Sequence, residues 1–183
     1  MKRQIVLASK SPRRNELLKQ EIDDFIVDVA TKPEKHPFFI IPSRVPLYLA
    51  KQKVKEVYKR HKDALIIGAD TIVLIDNNIL GKPKDKENAK RMISMLQGKT
   101  HQVITGVYLK SKDFSKSILC KTDVTFKEMT KEEIDKYCNL ETIYDKAGAY
   151  AIQGEAHDLV TKIKGSYNNV VGLPIELIKD YLK

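Results

Sequence analysis

A chain of 183 residues, 42% hydrophobic and 31% charged, is long enough for one well-packed domain or two lobes sharing a sheet. Its formal charge of +9 favours polyanionic partners, either nucleic acid or phosphorylated small molecules, although the basic residues are scattered rather than gathered in a tail. No apolar run approaches the roughly 20 residues of a membrane span, no membrane partner is expected, and Met1–Arg3 are expected to lead straight into a strand, leaving no room for a signal peptide.

The elements alternate between strand and helix periodicity, the pattern of an α/β layered domain. The apolar run Ile5–Ala8 predicts a first strand. A helix follows, with Ser11 at its N-cap and Pro12 at the first helical position, where a missing N–H costs nothing. Arg13 and Arg14 then fall in the first turn, the wrong sign for the helix dipole. Two readings stay open there: an awaited phosphate, or two solvated arginines.

Phe25–Val29 is the second predicted strand. Residues 30–46 hold Pro33, Pro37, Pro42 and Pro46 and read as a long irregular loop with no room for a helix. A helix over 46–60 carries the stripe Leu47, Ala50, Val54 and Val57. Lys53 sits against that stripe, either as a snorkelling stem or with its ammonium on a bound anion. Ala64–Ala69 is a buried strand that continues through Ile75 to a hairpin at Asp76–Asn78. A helix over Lys86–Leu96, strands over His101–Leu109 and Ile118–Phe126, a short helix at Lys131–Tyr137 and a strand at Leu159–Ile163 follow. Pro174 opens a predicted final helix with Ile175, Leu177, Ile178 and Leu182 on its apolar side.

Asp70 interrupts a strongly hydrophobic strand, which is costly unless the carboxylate is solvated, paired or metal-bound. Read at the carboxyl end of that strand, where open α/β sheets place ligands, it is the first candidate for metal ligand or general base; an aspartate capping the turn at Thr71 is the plainer alternative. Lys82, between Gly81 and Pro83, is a fixed point charge or a solvated lysine. The small residues Ala147–Ala149 would let backbone approach a ligand, and Gln153 offers donor and acceptor to a base edge. His101 reads as a structural strand histidine. Walker, Gly-x-Gly-x-x-Gly and Gly-x-Ser-x-Gly sequences are absent. Cys120 and Cys138 lack the number and spacing of a disulfide framework or zinc site, and a reduced, cytoplasmic setting is expected.

Seven segments in order carry a resemblance to the Maf family of nucleoside-triphosphate pyrophosphatases, over the whole of residues 1–183 as one domain. They are Leu7-Ala-Ser-Lys-Ser-Pro-Arg-Arg14, Lys53 in its helix, Gly68-Ala-Asp-Thr71, Gly81-Lys-Pro83, Gly98-Lys-Thr-His101 with Thr105-Gly106, Asp145 to Gly154, and Gly165 to Pro174. The resemblance implies a mixed, twisted sheet flanked by helices, with two lobes around a central cleft, like inosine-triphosphate pyrophosphatases. It implies metal-assisted hydrolysis of a nucleoside triphosphate to the monophosphate and pyrophosphate. Thr71, Gln153 and Arg13 resemble the specificity positions of the subgroup acting on dTTP and UTP, and Asp70 matches the family's proton acceptor. Where the family has an acidic pair, this chain reads Lys32-Pro33-Glu34, and only Glu34 carries over.

These expectations combine into one site. Asp70 and Glu34 would hold Mg2+ or Mn2+; Arg13, Arg14, Lys53 and Lys82 would surround the triphosphate with Ser9 donating to it; Thr71 and Gln153 would read a pyrimidine edge. The partner is then a nucleoside triphosphate rather than nucleic acid, with a homodimer left open. The competing classes are a nucleic-acid-binding module, disfavoured by 7% aromatics and no tryptophan, and a phosphohydrolase of another phosphorylated substrate.

Overall fold

In chain order the structure contains β1 (Ile5–Leu7), α1 (Pro12–Lys19), β2 (Ile26–Val27), α2 (Val45–Tyr58), β3 (Leu65–Ile75), β4 (Asn78–Leu80), α3 (Lys86–Leu96), β5 (Thr100–Lys110), β6 (Ser115–Phe126), α4 (Lys131–Tyr137), β7 (Val160–Lys164) and α5 (Tyr167–Val171). It is a computed structural model that describes residues 3–154 and 156–182. The described strands form one mixed sheet in the order β2-β1-β3-β5-β6-β7, with β4 folded back on β3. β1 pairs in parallel with β2 and β3, and the pairings of β3, β5, β6 and β7 are antiparallel. No helix among the described residues is long and apolar enough to cross a membrane.

One irregularity in this sheet positions everything that follows. β5 pairs along one edge of β3 from Ile66 to Leu74. On the other edge β1 covers only Leu65–Ile67 and β4 only Val73–Ile75. Residues 68–72 therefore face a notch, into which the chain leaving β1 turns towards α1.

α2 lies on one face of the sheet, burying Val45, Ala50, Val54 and Val57. It approaches so closely that a Cβ on Gly68 would stand 2.4 Å from Val54 Cγ2, and one on Gly106 would stand 2.2 Å from the Leu47 nitrogen. The opposite face carries two apolar clusters, the two lobes. Leu17 and Leu18 of α1 pack with Leu173, Ile175 and Ile178 over β1 and the start of β3. Ala89, Met92, Ile93 and Leu96 of α3 pack with Ile134 and Tyr137 of α4 over its end. Each fully buried aliphatic side chain is worth roughly 1.5–3 kcal/mol, so helix faces rather than propensity hold these elements.

Several expectations are corrected. Asp70 is not at a strand end: it sits in the middle of the eleven-residue β3, opposite Gly106. The open terminus belongs instead to β1, which stops three residues short of it in register. The second strand shrinks to Ile26–Val27, whose side chains are exposed and gain little from pairing. The proline loop ends earlier than expected, in a 3₁₀ turn at Pro42–Arg44 that runs into α2 at Val45. The final helix is two 3₁₀ turns, Ile175–Leu177 and Lys179–Tyr181, which leave Leu177 exposed. The unforeseen α5 precedes them, capped by Ser166 and stopped at Gly172.

His101 is a core residue, as expected. It is 2% exposed, its ring meets Phe126 and Tyr150 edge-on at 5.0 and 5.4 Å, and Nε2 lies 2.7 Å from the Tyr150 hydroxyl. Burial pushes its pKa down from 6.5 to about 4. The folded state thus binds the proton more weakly than the unfolded chain, so this residue's contribution is complete above pH 6.5 and is lost as pH falls towards 4. The loss amounts to about 3 kcal/mol. Denaturant titrations between pH 7.5 and 4.5 should show that fall in the wild type and a shallower one in His101→Gln, which cannot titrate.

Candidate active site

The turn from β1 into α1 sets one wall of the notch. Ser11 stands at the N-cap of α1, but its side chain makes no capping bond, so the first-turn N–H groups remain open towards a ligand. Arg14 turns inward across the notch. Its Nε donates to the Gly172 carbonyl at 2.8 Å, Nη2 to Thr71 Oγ1 at 2.9 Å and Nη1 to Ser9 Oγ at 3.2 Å. Burial lowers its pKa, with the nearby Asp70 carboxylate opposing the shift. A guanidinium holds its proton regardless. Arg14 thereby ties α1, β3 and the end of α5 together.

α2 sets the second wall. Lys53 points between two carboxylates: its Nζ lies 2.6 Å from Asp70 Oδ1 and 3.2 Å from Glu34 Oε1. Neither reading of Lys53 from sequence included this pairing. Glu34 reaches it because the proline loop is tied to α2. Glu56 accepts from the Thr31 nitrogen at 2.8 Å and its hydroxyl at 2.9 Å, and Gln52 donates to the Lys35 carbonyl at 2.9 Å.

The third wall joins the turn after β4 to the segment after α4. Gly148, at φ +71°, packs where a Cβ would come within 3.0 Å of Val73, and its N–H donates to the Gly81 carbonyl at 2.9 Å. Gly148 therefore lets this segment approach β3 and the Gly81 turn, while Ala147 lines the cleft. Lys82, Asp145 and Lys146 line the same cleft, and the last two pair with each other.

These walls enclose a cleft of about 1060 Å³. Ser9, Arg13, Arg14, Glu34, Lys53, Asp70, Thr71, Lys82 and Gln153 all line it. Because β3 alternates, Asp70 faces α2 while Thr71 faces α1 and α5, and the notch gives one cavity access to both faces. Seven cationic side chains oppose three carboxylates around it, Lys10, Lys32 and Lys146 adding to those expected. Among the described residues Arg13, Lys82 and Gln153 have no hydrogen-bond or ion-pair partner, so their polar groups are open to a ligand.

The donor set also bears on a metal. The oxygens of Asp70 and Glu34 converge on one ammonium, which shows that both reach a single cation. Among the described residues no third His, Cys, Asp or Glu joins them. Two carboxylates, completed by water and substrate phosphate, fit a hard divalent ion such as Mg2+.

Sequence reasoning missed the supports beneath Thr71. Thr105, fully buried, lies with its hydroxyl 2.9 Å from that of Thr71, and Asn169, also fully buried, holds Thr105 from α5. The available signal was a weak one, an asparagine directly before the apolar pair Val170 and Val171. Glu141, itself exposed, opens a 3₁₀ turn and is not among the residues lining the cleft.

Fold and cleft together define an α/β protein whose cationic pocket straddles a break in a mixed sheet and suits a polyanionic ligand. The model of the family "Maf-like protein" matches residues 4–183, and the chain belongs to that family. It is 45% identical over 181 residues to the dTTP/UTP pyrophosphatase of Bacillus cytotoxicus, spanning 99% of this chain and 95% of the relative. It is 44% identical, over the same shares, to the dTTP/UTP pyrophosphatase of Bacillus cereus. Among solved structures it superposes on the Ham1 protein of Staphylococcus aureus with a TM-score of 0.54 at 15% identity, covering 98% of both chains, a likeness of fold.

Proposed function

We propose that this protein hydrolyses dTTP and UTP to the monophosphate and pyrophosphate, in the cytoplasm and with a divalent cation. The observation that carries the reading is the convergence of Asp70 with Arg13, Lys53 and Lys82 on one cleft. The naming of relatives more than 40% identical as dTTP/UTP pyrophosphatases supports the substrate. Cationic groups turned inward on a concave site suit a small polyanion rather than a nucleic-acid backbone, which would need an exposed basic track.

Pyrophosphate release needs water to attack the α-phosphorus while charge grows on the departing β-phosphate oxygen. Uncatalysed hydrolysis of the anionic phosphoanhydride is slow, so position and charge neutralisation supply most of the acceleration. Asp70 is the general base. Lys53 holds Oδ1, leaving Oδ2 to take the water's proton. The P–O bond to the β-phosphate breaks as the new bond to water oxygen forms. Arg13, Lys82 and the open N–H groups of α1 neutralise the triphosphate. Ser9 accepts from Arg14 and from the Ser11 nitrogen, which leaves its hydroxyl proton for a phosphate oxygen. Asp70 and Glu34 would hold Mg2+ or Mn2+, which when bound polarises phosphate oxygens and makes water more acidic. Gln153 and Thr71 read the pyrimidine edge.

Lys82→Ala should lower kcat/KM by about 10²–10³, the usual cost of one lost transition-state charge contact. A coupled pyrophosphate assay reads it, with circular dichroism as the fold control. Across a nucleotide panel, pyrophosphate release from dTTP and UTP should exceed that from ATP and GTP. Equal rates would overturn the base assignment.

A further inference from the structure

The polar network behind Thr71 dictates which way each hydrogen bond points. Asn169 is fully buried, and every polar atom of its side chain has a partner. Nδ2 donates to the Val103 carbonyl and to Thr122 Oγ1, each at 2.9 Å, and Oδ1 accepts from the Thr105 nitrogen at 3.2 Å. The Thr105 hydroxyl donates its single proton to the Asn169 backbone carbonyl at 2.9 Å. A carbonyl only accepts, so that direction is fixed.

Thr105 Oγ1 therefore has nothing to give Thr71, and the contact of 2.9 Å between the two hydroxyls requires Thr71 to be the donor. One lone pair of Thr71 is taken by Arg14 Nη2 at 2.9 Å. What the hydroxyl still offers the cleft is one lone pair and no proton. A ligand atom meeting it must carry a hydrogen. A phosphate oxygen has none to give. Ser9, on the same guanidinium, has the opposite polarity: its lone pairs are occupied and its proton is free. One arginine thus separates a donor suited to phosphate from an acceptor suited to a base.

We propose that Asn169 and Thr105 are positioning residues that hold Thr71 as an acceptor, so that the cleft selects bases with a ring N–H at position 3, uracil and thymine, over cytosine, whose ring nitrogen there has only a lone pair. This rests on the reading of the cleft as a pyrimidine nucleoside triphosphate site. Against cytosine the two lone pairs would face each other with no proton between them. Leaving such buried groups unpaired is the strongest form of polar discrimination. Replacing Thr105 by valine removes the acceptor of the Thr71 proton and lets that hydroxyl turn its hydrogen to the cleft.

The test compares kcat/KM for dTTP, UTP and dCTP, read as pyrophosphate release, in wild type, Thr105→Val and Thr105→Ser. The expected result is a dCTP-to-dTTP ratio about tenfold higher in Thr105→Val and unchanged in Thr105→Ser, which keeps the relay. An equal fall on all three substrates would mark Thr105 as merely structural and overturn the inference. A change in the UTP-to-dTTP ratio instead would place Thr71 against the sugar or the 5-methyl position, away from the ring N–H, and overturn it as well. If Thr105→Val does not fold, wild type with 3-deaza-UTP, which has C–H in place of the ring N–H, decides: a drop of about tenfold against UTP is expected, and parity overturns the inference. Wild type that releases no pyrophosphate from dTTP or UTP would refute the underlying reading, a failure distinct from either of these.

Discussion

Asp70→Asn is expected to lower pyrophosphate release by about 10³-fold or more while leaving the fold and the thermal midpoint close to wild type. The substitution keeps size and shape. It also keeps an oxygen that accepts from Lys53 Nζ, the bond that measures 2.6 Å in the native carboxylate. What it removes is the group proposed to take the proton from the attacking water, a contribution worth roughly 10²–10⁴ in rate. It also takes one of two carboxylates from the candidate cation position, so both losses act on the same step. Steady-state assays at saturating dTTP with excess Mg2+ check the first statement, and a melting curve checks the second. Activity within tenfold of wild type would remove Asp70 from the mechanism.

Gly106→Ala should have the largest effect on stability, from a residue that touches no substrate. Gly106 faces Asp70 across the β3–β5 ladder on the side covered by α2. An alanine Cβ would stand 2.2 Å from the Leu47 nitrogen, 2.3 Å from its Cα and 2.6 Å from the Pro46 carbonyl carbon. These are backbone atoms of a helix start, so no rotamer change relieves them, and α2 must lift away from the sheet. The cost should reach about 3 kcal/mol or more, the upper end for overpacking. Lys53 rides on the displaced helix, so whatever folds should also lose most activity. Urea titration gives the first quantity. A variant as stable as wild type would mean that α2 does not sit where the glycine contact places it.

The chemistry of the site was more legible than the frame that holds it. Charged residues in unfavourable places announce themselves by cost: Arg13 and Arg14 oppose a helix dipole, and Asp70 interrupts an apolar strand. The nine residues that such costs and the Maf resemblance single out line one cleft. The elements with a clean period were equally readable, as in the stripe of α2 and the Asp76–Asn78 turn, where positive φ at Asp76 and Asn77 closes the hairpin. The notch was not readable. It depends on β1 stopping at Leu7 while β3 runs on, and no local pattern in β3 records where its neighbours end. The C-terminal segment misled for a related reason: Ile175, Ile178 and Leu182 keep helical spacing, but two 3₁₀ turns also bury all three in the cluster that holds Leu17 and Leu18. Thr105 and Asn169 gave only a weak signal, the asparagine beside Val170 and Val171, because a threonine in a strand and an asparagine near a turn are ordinary until burial makes each hydrogen-bond direction obligatory.

Attack of water on the α-phosphorus in this cleft is the step on which the rest depends. Turnover of dTTP in ¹⁸O-labelled water, followed by mass spectrometry of the products, tests it most directly. One labelled oxygen in dTMP and unlabelled pyrophosphate are the predicted result. Label in pyrophosphate, or release of orthophosphate with dTDP, would contradict it.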